Sequence, residues 1–139
     1  PAMLDDLGLA PALEWQSRDF SRRSGIPVEL QLDGDLDGLP EAHRTAVFRI
    51  AQEALTNCAR HARAKRVRIA VHGHKDAVSL SIQDDGVGMD VESAAREGMG
   101  LLGIEERARE LGGAVSIYSR PGKGMTLQAE IPLPKEALR

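Results

Sequence analysis

The chain has 139 residues, with 18 basic against 21 acidic side chains, a net charge of −3 and a single cysteine. That length holds one domain with a single core, and the dispersed, nearly balanced charge excludes a nucleic-acid footprint. One cysteine excludes an internal disulfide, and no run approaches the roughly eighteen apolar residues of a membrane span.

Residues 1–24 carry Leu4, Leu7, Leu9, Leu13 and Phe20 and read as helical up to Gly25. Gly8 and Pro11 interrupt the first turns, so the regular helix is expected to begin near Pro11, a residue suited to a first helical position. This part is expected to be a connector. An opening on Pro1 rather than methionine suggests a piece trimmed from a larger protein, with the piece itself in a reducing aqueous compartment, the cytoplasm.

Val28, Leu30 and Leu32 then alternate with Glu29, Gln31 and Asp33, the period of a half-buried strand, and 33–40 reads as a loop. Next comes a helix whose apolar positions Val47, Ile50, Ala51, Ala54, Cys58 and Ala62 form one stripe and which is expected to end near Ala64. Cys58 falls near that stripe, where a small buried core residue is the common case. On another face Glu53, Asn57 and His61 follow one another at four-residue spacing, which stacks Cβ atoms within roughly 5–6 Å, and Arg60 sits beside them. By itself such a row is more often a solvated face than a site.

Val67, Ile69 and Val71, then Val78, Leu80 and Ile82, alternate with polar residues on either side of Gly73-His74-Lys75-Asp76, a β-hairpin. From Asp84 to Gly103 the alternation stops and glycines accumulate. Asp84-Asp85-Gly86-Val87-Gly88 follows directly on the strand and alone is a weak pattern, often just a turn. Gly98-Met99-Gly100-Leu101-Leu102-Gly103 opens a helix over about 101–111, where free N–H groups suit an anion. The string matches the dinucleotide fingerprint in letters only, because no strand precedes it and Arg120 stands where an acidic residue belongs. Pro121-Gly122-Lys123-Gly124 fails as a P-loop, since Gly124 replaces the Ser or Thr and a strand follows. Val115 and Ile117 begin one strand, and Leu127, Ala129 and Ile131 alternate along the last.

Five one-faced strands and about three helices sharing one core predict an α+β two-layer sandwich, with a mixed, mostly antiparallel sheet and helices on one face.

Glu53-x-x-x-Asn57, Asp84-x-Gly86-x-Gly88 and Gly98-x-Gly100-Leu101, in this order and closed by Gly122 to Thr126, resemble the N, G1 and G2 boxes and the final glycine turn of the catalytic, ATP-binding domain of sensor histidine kinases. That superfamily also includes gyrase, heat-shock chaperone and mismatch-repair ATPases, all with the Bergerat-type sandwich. Gln-Glu-Ala-Leu-Thr-Asn with Arg-His-Ala, and Gly-Met-Gly-Leu-Leu-Gly-Ile-Glu-Glu-Arg, look most like kinases related to nitrate sensors. In those, Leu-Asp-Asp-Leu-Gly-Leu, here Leu4 to Leu9, marks the exit from the dimerisation helices. The resemblance therefore implies a connector over 1–24 and an ATP-binding catalytic domain over 25–139.

It also implies roles. Asp84 accepts a hydrogen bond from the adenine amino group, and Gly86 and Gly88 let the chain pass close to the base. Asn57 binds Mg²⁺ through its amide oxygen, while Glu53 orients a magnesium-bound water or acts as a base. Arg60 contacts phosphate, His61 contacts phosphate or caps the ligand, Gly98, Gly100 and Leu101 belong to the phosphate-binding helix start, and Thr126 offers a hydroxyl to the base or a nearby water. The implied partners are a histidine-bearing dimerisation domain of the same protein, absent from this chain, and a response regulator. The piece is expected to be monomeric and the whole protein a homodimer.

Two features depart from the family pattern. The lid from Val91 to Glu97 is short and lacks an aromatic anchor. None of His43, His61, His72 and His74 sits in the acidic-flanked phosphoacceptor context, so this piece is expected to bind ATP without phosphorylating itself; His72 and His74 read as solvated hairpin residues. A serine kinase of the anti-sigma type is the alternative within the superfamily, and a non-catalytic docking module the alternative outside enzymes. The Leu4–Leu9 connector speaks against the first, and intact Glu53, Asn57 and Asp84 against the second.

Overall fold

Apolar residues at every second position make each strand one-sided, and five such strands associate into one sheet. A computed structural model describes residues 2–87 and 101–135, the side chains of Ala2, His61 and Ala62 excepted. The strands are β1 (Val28–Gly34), β2 (Val67–Gly73), β3 (Ala77–Asp84), β4 (Ala114–Ser119) and β5 (Met125–Pro132), in the spatial order β1-β2-β3-β5-β4. β1 and β2 run parallel, and every other neighbouring pair is antiparallel. A parallel pair needs a crossover connection, and the long helix between β1 and β2 supplies it.

One face of the sheet is buried through Val67, Ile69, Val71, Val78, Leu80, Ile82, Leu127, Ala129 and Ile131. The other carries exposed Arg68, Gln83, Gln128 and Glu130. On the buried face lie α2 (Leu9–Ser24), α3 (Glu41–Asn57) and α4 (Leu101–Glu110), and α1 (Ala2–Leu7) precedes them. Leu9, Ala12, Leu13 and Phe20 of α2, Val47, Ile50 and Ala51 of α3, and Ile104 and Ala108 of α4 join the sheet residues in one apolar cluster. Each large aliphatic side chain in it contributes about 1.5–3 kcal/mol by leaving water. The expected α+β sandwich is the observed one.

Some boundaries move. α2 starts at Leu9, two residues before the expected Pro11, and Pro11 sits in its first turn, where a missing N–H forfeits no helical bond. β1 continues through Gly34 into the expected loop. α3 begins at Glu41, well ahead of its apolar stripe, and Nε2 of the buried His43 meets the Pro132 carbonyl oxygen at 2.8 Å, tying the start of α3 to the end of β5. Gln16 donates from Nε2 to the Phe48 carbonyl at 3.1 Å, joining α2 to α3.

The largest difference is at the end of α3. Instead of continuing to Ala64, the α-helix closes at Asn57 and winds into a π turn over Cys58–Ala62, from which the chain leaves through Arg63 at φ +49°.

Candidate functional site

Asp84 is the last residue of β3 and stands two positions after Ile82, so alternation turns its carboxylate toward the helical layer. It is 8% exposed. A carboxylate taken from water requires donors, and two are present. The Gly86 N–H reaches Oδ1 at 2.9 Å, and the Cys58 thiol donates to Oδ2 at 3.5 Å. Cys58 opens the π turn and directly follows Asn57, so this contact brings the end of α3 against the end of β3. Burial, then the negative charge of Asp84 and the hydrogen bond to it, push the Cys58 thiol far above the usual cysteine range, which keeps it an S–H donor. With one donor on each oxygen, lone pairs remain on the carboxylate for a further partner.

Asp85 turns the other way. Its Oδ1 accepts the backbone N–H groups of Lys65 and Arg66 at 2.8 and 2.9 Å, clipping the segment that leaves the π turn to the end of β3. Those two backbone donors hold its carboxyl below the usual aspartate value.

The β4–β5 turn packs on the same stretch. Gly122 donates its N–H to the Val87 carbonyl. Gly124, at φ +74°, lies so close that a Cβ on it would stand 2.3 Å from the Asp84 carbonyl oxygen. Only glycine fits both the dihedral and the approach.

Glu53 and Asn57 are half-buried on successive turns of α3, in the expected i, i+4 relation. The row ends there. His61 belongs to the π turn, where i→i+5 winding replaces four-residue spacing, and Arg60 is exposed on the same turn. Leu101, first residue of α4, is 4% exposed and part of the core. Gly88, Gly98, Gly100 and the lid from Val91 to Glu97 lie outside the described residues.

Thr126 is placed differently from expectation. It pairs with Gln83, whereas Met125 pairs with Asp84. Paired residues share a face, so the Thr126 hydroxyl is turned to the solvated side and Met125 stands opposite Asp84.

His72 and His74 sit at the β2–β3 hairpin with ring centroids 4.2 Å apart, and His74 Nε2 contacts Ser79 Oγ at 2.7 Å. Among the described residues no group of three or more His, Cys, Asp or Glu could hold a metal ion. The amide of Asn57 and the carboxylate of Glu53, one turn apart and half-buried, are hard oxygen donors of the kind that suits Mg²⁺, an ion that keeps several waters and shares substrate phosphates.

Sequence reasoning missed Cys58 as a donor and Asp85 as a clip. Nothing along the chain links Cys58 to a carboxylate 26 residues away. Asp85 carried a faint indication, being an aspartate at a strand end, where side chains often cap neighbouring backbone.

Residues 42–135 match the family model described as histidine kinase-, DNA gyrase B- and HSP90-like ATPase. Among curated relatives, the chain is 35% identical over 133 residues to the signal transduction histidine-protein kinase/phosphatase DegS of Brevibacillus brevis, covering 96% of this chain and 34% of that protein. It is 30% identical over 134 residues to the oxygen sensor histidine kinase NreB of Staphylococcus carnosus, covering 96% of this chain and 39% of that one. The chain thus spans about a third of the length of the curated relatives it matches. In fold it is similar to the blue-light activated histidine kinase EL346 of Erythrobacter litoralis, with a TM-score of 0.69 at 18% identity over 90% of this chain and 42% of that one.

Proposed function

Because the chain belongs to the histidine kinase-, DNA gyrase B- and HSP90-like ATPase family, we propose that it is the ATP-binding catalytic domain of a two-component sensor kinase, presenting the γ-phosphate of ATP to a histidine on a separate dimerisation domain. The observation that carries this reading is Asp84: a buried carboxylate, supplied with a donor on each oxygen, beside the turn of α3 that ends in Asn57. A carboxylate acceptor suits the 6-amino group of adenine, which donates, over the 6-oxo group of guanine, which only accepts.

In this reading Gly86 gives the base room, and Arg60 faces phosphate. Asn57 ligates Mg²⁺ through its amide oxygen, and Glu53 holds a water of the same ion or takes the proton of the incoming imidazole. Mg²⁺ when bound neutralises phosphate charge. Gly98 and Gly100, ahead of α4 in the chain, would supply backbone N–H groups to the phosphates. The histidine nitrogen forms a bond to the γ-phosphorus as the bond to the β–γ bridging oxygen breaks, releasing ADP, and the imidazole loses its N–H proton. The chain's part is positioning and charge neutralisation.

Residues 1–24 connect to the dimerisation domain, and a response regulator takes the phosphoryl group onward. The working compartment is the cytoplasm, where ATP is supplied; no helix among the described residues is long and apolar enough to cross a membrane.

The test is a calorimetric titration with a non-hydrolysable ATP analogue and Mg²⁺, beside Asp84→Asn and the matching GTP analogue. Saturable binding that prefers adenine and is lost in the variant is expected. A folded chain that binds neither nucleotide overturns the reading.

A further inference from the structure

We infer that Cys58 is a positioning residue for base recognition: its thiol, donated to Oδ2 of Asp84, fixes the carboxylate so that the pocket selects a purine bearing an exocyclic 6-amino group. The inference rests on the reading of Asp84 as the adenine contact and adds a residue to it.

The two donors on Asp84 come from different parts of the fold. Gly86 lies just two residues beyond Asp84 in the chain, so its N–H orients Oδ1 only relative to that stretch of backbone. Cys58 stands on the turn that follows Asn57, and its 3.5 Å contact is a side-chain link between the helix expected to meet the phosphates and the strand end expected to meet the base. It sets the carboxylate plane relative to the rest of the ligand. Cys58 is 4% exposed and Asp84 8%, so water does not readily substitute for the thiol.

Residue type matters here. Alanine or valine fits an apolar stripe but donates nothing, leaving Oδ2 one partner short. Serine donates on a shorter bond and reaches less far than sulfur.

The experiment compares ADP with the diphosphate of purine riboside, which lacks the 6-amino group, binding with Mg²⁺ to the wild-type chain, Cys58→Ala and Cys58→Ser. Wild type is expected to prefer ADP by about tenfold or more, the worth of a hydrogen bond to a charged acceptor. Cys58→Ala should shrink that preference by about fivefold, corresponding to one ordinary hydrogen bond, while purine riboside diphosphate binds as before. Cys58→Ser, closest to cysteine in size, should fall between. A variant that binds both ligands as wild type does, or that weakens both equally, overturns the inference, since a merely structural role does not distinguish the two. Wild type that fails to discriminate overturns the reading of Asp84, and the inference with it.

Discussion

Gly124 presses its α-carbon against the Asp84 backbone so closely that one added methyl group would stand 2.3 Å from the Asp84 carbonyl oxygen. The β4–β5 turn and the strand end that carries the buried carboxylate are thereby in direct backbone contact. Neither partner is a flexible side-chain tip, so neither yields cheaply. Gly124→Ala is expected to destabilise by roughly 2–4 kcal/mol and to displace Asp84. Gly122→Ala, at φ +78° with nothing near its Cβ, should cost only about 1 kcal/mol. Chemical denaturation of the two variants checks the contrast, and equal losses would mean that the close approach does not matter.

Asp85 makes stability depend on acid. Its folded carboxyl lies below the ordinary value of 3.8 because Lys65 and Arg66 donate backbone N–H groups to it. A depressed carboxylate contributes stability that is present above the unfolded value and lost as pH falls through the folded one. Asp85→Asn should therefore melt earlier than wild type at neutral pH, with the gap closing as the pH drops below 3.8. Thermal melts across that range decide it; a gap independent of pH would count against the clip.

His43 ties α3 to β5 through one bond at 2.8 Å, while its other ring nitrogen, Nδ1, is buried with no partner among the described residues. Only the Nε2 contact contributes, so Nε2 carries the proton and the Pro132 carbonyl accepts. His43→Leu should lose about 1–2 kcal/mol and His43→Gln, which restores a donor, less. Urea titration of the pair would show it, and a glutamine variant no better than leucine would reject the tie.

Asn57→Ala should abolish the response of nucleotide affinity to Mg²⁺. Wild type is expected to bind an ATP analogue at least roughly tenfold more weakly in EDTA, the scale of one charge-assisted contact, and the variant to bind equally with and without the ion. Paired titrations measure this. A variant that still responds to Mg²⁺ would move the ion's ligand elsewhere.

The sheet was legible because its signal is a period of two repeated five times: Val67, Ile69 and Val71 opposite Leu80 and Ile82 leave little choice of face. The same alternation placed Thr126 with Gln128 and Glu130 on the solvated side, an indication that a motif-level match overrode. The π turn was not legible, since Cys58 to Ala62 contains neither glycine nor proline and no local propensity separates i→i+5 from i→i+4 winding. The Cys58–Asp84 bond could not be read either, because it depends on which strand end the turn meets. Glu53 and Asn57 were legible as neighbours because four-residue spacing holds up to the residue where the winding changes.

That change of winding acts as a measure of chain length. A π turn holds one residue more than an α turn for about the same advance, so it absorbs a residue without lengthening α3. Lys65 and Arg66 thus arrive at the Asp85 carboxylate while Cys58 still faces Asp84. Removing one residue from the turn would favour a continuous α-helix and force a choice between the two contacts, which makes the spacing from Cys58 to Arg66 as much a determinant of the site as any side chain in it.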